Sequence, residues 1–139
     1  MFKNILLAYD GSEHANKAAK LAGEMANSLK ADLWVVVAYD PIPEYLGKPN
    51  FQDAITSRLD HAEEIMKSAL EETGSLSGVV RKEIIEGPAA EAILNVAEAR
   101  NIDLIVMGTR GLGKLVGLLV GSQSQKVVAH AGCPVLLVR

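Results

Sequence analysis

Short, nearly unbroken apolar runs alternate along this chain with stretches whose apolar residues recur every three or four positions. The first run, "NILLAY" (4–9), has the pattern of a strand buried on both faces. Asp10-Gly11-Ser12 follows as a turn, with Ser12 placed to cap a helix. Ala15, Ala18, Ala22, Met25 and Leu29 then mark one helical face. "DLWVVVAY" (32–39) is a second strand, and "PIPEYLGKPN" (41–50) a loop by its prolines and glycine. Ile55, Leu59, Ala62, Met66 and Ala69 predict a second helix ending near Gly74. "GVVRKEII" (78–85) alternates more than the other strands and is expected at a sheet edge. Pro88 suits the first turn of a third helix, 88–99. "DLIVMG" (103–108) is a fourth strand, Ser122 to His130 a fourth helix, and "CPVLLVR" (133–139) a fifth strand.

Strands alternating with helices predict one α/β domain over 1–139, a mainly parallel sheet covered by helices on both faces. In such sheets ligands bind beyond the carboxyl ends of the strands, where the strand order reverses. The loops after strands one and four carry the suggestive chemistry. They face each other across one crevice if those two strands are neighbours.

A chain of 139 residues that is 49% hydrophobic can support a core, but with 4% aromatics that core must be aliphatic. Net charge is −3 and no basic cluster stands out, which argues against nucleic acid as a partner. A single cysteine, Cys133, excludes an internal disulfide and fits a reducing compartment. Asp10 interrupts the N-terminal apolar run, so no signal peptide is expected, and no stretch approaches the roughly 20 apolar residues of a membrane span. The expectation is a cytoplasmic protein with no membrane insertion.

The segment "VMGTRGLGKLVGLLVGSQSQ" (106–125) admits three nucleotide-site spacings. Gly108-x4-Gly113-Lys114 approaches a Walker A loop, but Leu115 stands where that loop needs a hydroxyl for Mg²⁺. A helix starting at Lys114 would also hold Gly117 and Gly121 in its interior, at about 1 kcal/mol each relative to Ala. Gly111-x-Gly113-x3-Gly117 misses the dinucleotide fingerprint by one residue, and no strand directly precedes it. Gly108-x2-Gly111-x9-Gly121-Ser122 is physically consistent throughout. Gly108 ends a strand, where the missing side chain lets backbone or ligand approach. The turn that follows can aim amides at an anion. Ser122 can cap the last helix, whose free N–H groups can bind phosphate. On spacing alone, the alternative that these glycines are turn residues and Ser122 only a cap stays open.

Gly108-x2-Gly111-x9-Gly121-Ser122, the terminal "CPVLLVR" and the opening "NILLAYDGS" resemble the universal stress protein family, over the whole chain. The glycine pattern resembles that of the family's ATP-binding branch. The resemblance implies a sheet of order 3-2-1-4-5 and a homodimer through the last strand, 134–138. It implies ATP, with Mg²⁺ arriving on the nucleotide, and site roles as follows. Asp10, with Ala8 and Tyr9 beside it, would contact adenine and ribose, and the backbone near Ala38 would read the adenine edge. Met107, Gly108, Arg110 and Gly111 would line the ribose and phosphates, and Gly121, Ser122, Gln123 and Ser124 would hold the phosphates. No dedicated metal-ligand set and no catalytic residue is expected.

Other residues carry less. Asp10 before glycine is also a common turn residue that bonds its own loop. His14, His61 and His130 lack zinc spacing, and His61-Ala62-Glu63-Glu64 reads as a solvated helix face. "GSLSG" (74–78) has Leu76 where a nucleophile elbow needs serine. Cys133 is expected to be a buried structural thiol. Lys114 and "LVGLLV" (115–120) could form a lid or a dimer contact. Three functions compete: an ATP-binding regulatory module read by a protein partner, a slow ATPase or phosphoryl-transfer enzyme, and a nucleotide-free interaction dimer.

Overall fold

The computed structural model describes residues 1–41, 47, 50–110 and 120–139. The elements run β1 (Asn4–Ala8), α1 (Glu13–Leu29), β2 (Asp32–Tyr39), α2 (Asn50–Thr73), β3 (Val80–Glu86), α3 (Ala89–Ala99), β4 (Leu104–Gly108), α4 (Ser122–His130) and β5 (Val135–Val138). The five strands form one sheet of order β3-β2-β1-β4-β5, and every pairing is parallel. The expected fold is the observed one, and β3 lies at an edge as its alternation predicted. Its ladder begins at Val80 rather than Gly78. A Cβ on Gly78 would stand 2.9 Å from the Ala31 carbonyl oxygen, so that residue packs under the start of β2 instead of extending β3.

The sheet separates two apolar layers. Ile5 and Leu7 of β1 face α1 and α2, while Leu6 and Ala8 face α3 and α4. That is why β1 reads as a continuous apolar run: its alternate side chains enter two different cores. Asp103 fixes the start of this central strand, its carboxylate accepting from the backbone N–H groups of Lys3 (2.9 Å) and Asn4 (3.1 Å).

Helix α1 starts where Ser12 predicted, the Ser12 hydroxyl accepting from the Ala15 N–H at 3.2 Å. Its buried face is built of alanines and Gly23, which permits close packing. A Cβ at Gly23 would lie 2.2 Å from the Thr73 carbonyl oxygen at the end of α2. Helix α2 departs from the expected face. Ala62, Met66, Ala69 and Thr73 are buried, but Ile55 is only partly covered and Leu59 is 36% exposed. Length explains the departure: the helix is about 36 Å long at ~1.5 Å per residue, whereas β2 spans about 26 Å. Its first turns overhang the sheet. In α1, likewise, Met25 is half-buried and Leu29 is exposed.

Candidate ligand-binding site

Strand β1 leads into α1 on one face of the sheet, and its neighbour β4 leads to α4 on the other. Their carboxyl ends therefore diverge, and a cleft of about 240 Å³ opens between them. Ala8, Tyr9, Asp10, Ala38, Met107, Gly108, Arg110, Gly121, Ser122, Gln123 and Ser124 all line it. Those are the residues assigned from sequence, apart from Gly111. Gly111 lies outside the described residues, as do Gly113, Lys114 and Gly117, and with them any lid over 115–119.

The polar rim comes from the two diverging loops. Asp10 accepts from the Ser12 N–H through Oδ1 at 2.9 Å, so it is a turn residue and a cleft residue at once. The Ser12 hydroxyl reaches the Arg110 carbonyl oxygen at 3.4 Å and joins the two loops. Thr109 is buried between them. Its N–H donates to Val138 O (2.9 Å), its carbonyl accepts from Gly121 N–H (2.6 Å), and its hydroxyl lies 3.3 Å from His14 Nδ1. The last strand, the start of α4 and the start of α1 thus meet at one residue.

Helix α4 presents its N-terminus to the cleft. Gly121, not Ser122, is the N-cap, and no side chain caps the helix. The expected Ser122 cap is corrected because Ser122 is already the first helical residue. The first intrahelical bond is Gln125 N–H to Gly121 O, at 3.0 Å. The amides of Ser122, Gln123 and Ser124 precede it and have no acceptor within the helix. No acidic residue in the first turn offsets the positive end of the dipole. Two side chains there, those of Gln123 and Ser124, are engaged elsewhere. Ser124 donates its hydroxyl to Gly108 O at 2.9 Å, and Gln123 Oε1 accepts from the Ala90 N–H at 2.9 Å. An anion at this helix end would meet backbone amides, with the side chains setting their aim.

At Gly108 it is the α1 backbone that makes the close approach the missing side chain allows: a Cβ there would lie 2.8 Å from His14 Cβ and 2.9 Å from the His14 carbonyl carbon, and the residue also lines the cleft. Tyr9 borders the cleft, but its ring belongs to the α1/α2 core and its hydroxyl bonds Asn16 Oδ1. Its bulk therefore lies on the other side of the sheet from α3 and α4. Burial holds the Tyr9 phenol above its ordinary pKa, and the carboxylates of Glu72, Asp10 and Glu71 push the same way.

The inner wall of the cleft is apolar. Besides Ala8, Ala38 and Met107 it includes Ala15, Val36, Ala89 and Ile93, which the motif reading missed. Three of these had a legible signal. Val36 is two residues from Ala38 on β2 and shares its face, and Ala89 and Ile93 are four apart on α3. Remote from the cleft, His61 and Glu64 are exposed on α2, as the solvated-face reading expected. Cys133 is half-buried rather than buried. Burial and then Asp103 raise its thiol pKa, with the Ile105 backbone opposing them. No helix among the described residues is long and apolar enough to cross a membrane.

The fold is a doubly wound α/β domain with a cleft at its switch point. The family model described as the universal stress protein family matches residues 1–139, and the chain belongs to that family. A universal stress protein of Thermus aquaticus, encoded in the QAH/OAS sulfhydrylase 3′ region, is 54% identical over the full length of both chains. The solved universal stress protein UspA from Lactobacillus plantarum superposes with a TM-score of 0.87 at 28% identity, over 99% of this chain and 98% of that one. Two more distant solved structures share the fold. One is a universal stress protein in complex with cAMP (TM-score 0.67, 24% identity, 99% of this chain and 97% of that one). The other is a universal stress protein from Archaeoglobus fulgidus in complex with dAMP (TM-score 0.61, 16% identity, 100% of this chain and 98% of that one).

Proposed function

We propose that this protein is an ATP-binding regulatory module whose nucleotide state is read by a protein partner in the cytoplasm. One observation carries the reading: the uncapped N-terminus of α4 opens onto an apolar cleft at the sheet's switch point. A phosphate chain suits the three amides and the positive helix end. A purine suits the wall of Ala8, Val36, Ala38, Met107 and Ile93, and Asp10 stands at the rim for a ribose hydroxyl. The proteins solved with cAMP and dAMP support an adenine nucleotide as the ligand class.

Mg²⁺ would travel on the phosphates. Among the described residues no group of three or more His, Cys, Asp or Glu side chains could hold a metal ion by itself. Turnover is slow or absent on this reading. Of the described residues lining the cleft, only Asp10 and Arg110 carry side chains charged at neutral pH, and Asp10 already accepts from its own turn. Phosphoryl transfer needs a group to orient the nucleophile as well as a charge clamp, and kinases that have both run at ~1–100 s⁻¹.

Calorimetry with Mg-ATP on protein stripped of nucleotide tests the reading. Micromolar affinity is expected, about −7 to −8 kcal/mol. No heat up to millimolar ligand would remove it, and hydrolysis at kinase-like rates would replace the regulatory reading with an enzymatic one.

A further inference from the structure

Helix α3 begins without a cap of its own. Pro88 occupies the N-cap position and makes no side-chain hydrogen bond to the helix. Ala89 and Ala90 have no polar side chains, yet Ala90 is 1% exposed, so its N–H cannot turn to water. The acceptor arrives from 33 positions further along the chain: Gln123 Oε1, at 2.9 Å. Gln123 lies in the first turn of α4, with Ser122 and Ser124 on the rim of the cleft. Ala89 and Ile93 of α3 form part of the apolar wall of the same cleft. One residue therefore belongs to the helix end that offers amides and fastens the helix that offers apolar surface.

We propose that Gln123 is a positioning residue, a clasp that sets the distance between the apolar wall and the phosphate-facing helix end. The proposal rests on the nucleotide reading above and adds a division of labour to it. The Gln123 backbone serves the phosphates, while its side chain serves the base by way of α3. Removing the acceptor leaves the α4 amides in place, because Ser124 still ties that turn to Gly108 O. It frees the start of α3, so the base half of the site loosens and the phosphate half does not.

Two substitutions separate this from a direct phosphate contact. Gln123→Met matches the side chain in length and lacks the acceptor. Gln123→Glu keeps an acceptor for the Ala90 N–H and adds a negative charge at the α4 N-terminus. NMR titrations of stripped protein with adenosine, with inorganic tripolyphosphate and with Mg-ATP are read beside hydrogen exchange at the Ala90 amide. In Gln123→Met, adenosine should weaken about three- to tenfold, the worth of one hydrogen bond. Tripolyphosphate binding should not change, and Ala90 should exchange faster. In Gln123→Glu, Ala90 protection and adenosine binding should return to wild type while tripolyphosphate weakens. The clasp is overturned if Gln123→Met weakens tripolyphosphate as much as adenosine, or changes neither. Should Gln123→Met fail to fold, loss of adenosine binding in Gln123→Glu overturns it instead. Wild-type protein that binds none of the three probes ends the nucleotide reading, and the clasp with it. Wild-type binding with the wrong pattern ends the clasp alone.

Discussion

Gly121 has φ −67° and ψ 160°, backbone that any residue adopts, so its conformation does not itself require glycine. What a side chain would obstruct is the approach to the α4 amides. Gly121→Val should stay folded and helical by circular dichroism while losing most of its ATP affinity. Lys114→Ala should cost no more than about 1 kcal/mol of binding, in line with a screened surface interaction. A Walker A loop would reverse that ranking, since its lysine reaches the β and γ phosphates. Dissociation constants measured for both variants in one buffer decide between the two. Tyr9 supplies a prediction about pH. Its folded pKa is raised above the unfolded value of about 10, so the neutral phenol is favoured by folding. That stabilisation is complete below about pH 10 and is lost as pH rises through the folded pKa. Melting temperature should fall across that alkaline window in wild type and fall less steeply in Tyr9→Phe, with tyrosinate absorbance tracking the ionisation. At this scale the cleft was partly legible in sequence. Asp10, Gly108 and Ser122 stand beside strand ends and glycines, which local turn chemistry identifies. The side-chain destinations of Gln123, Ser124 and Tyr9 were not, because each is settled by tertiary packing: Ala90 across the α3 boundary, Gly108 at the end of β4, and the core beneath α1 and α2.

Helix α1 crosses α2 at a glycine that helix propensity alone would reject. Replacing an interior helical Gly by Ala ordinarily gains about 1 kcal/mol. Gly23→Ala should lose stability instead, because its Cβ would lie 2.2 Å from a backbone carbonyl that cannot rotate aside. Urea denaturation of wild type and variant checks the sign, and a stabilised Gly23→Ala would mean that α1 and α2 separate at little cost. Ser12→Ala should cost about 1 kcal/mol through loss of the α1 cap. The order and type of the elements could be read from pattern because short unbroken apolar runs and longer stretches of period near 3.6 hardly overlap in this chain. Ends and faces were less legible where distant geometry decides them. The apolar spacing of Ile55 and Leu59 continues a helical stripe, but the sheet beneath it has run out. Gly121 takes the cap position from Ser122 while its N–H is held by Thr109 O, a bond that no local pattern announces.

The whole molecule ends its sheet in β5, an edge strand of four partly exposed aliphatic residues. Pro134 and Val138 turn their carbonyls toward β4. By alternation, the N–H and C=O groups of Val135 and Leu137 point outward, available to a second copy. A two-fold axis would pair two such edges antiparallel. Light scattering should report about twice the 14.8 kDa chain mass. Leu137→Pro should lower it toward one chain while the circular dichroism spectrum is preserved, since the β4 ladder does not use that N–H. A monomeric wild type at high concentration, with and without ATP, would refute the assembly. The position of β1 has a consequence in time. This central strand pairs with β2 on one side, Asn4 with Asp32, and with β4 on the other, Ile5 with Leu104. On a ribosome, at ~5–20 residues per second, β4 emerges about 3–14 s after β2 is complete. For that interval one side of an almost wholly buried strand has no neighbour, and the Asp103 carboxylate that will fasten Lys3 and Asn4 has not yet been made. Within this sheet the strand made first is among the last to be finished, so the growing chain must keep an apolar edge from other partners until its own fourth strand arrives.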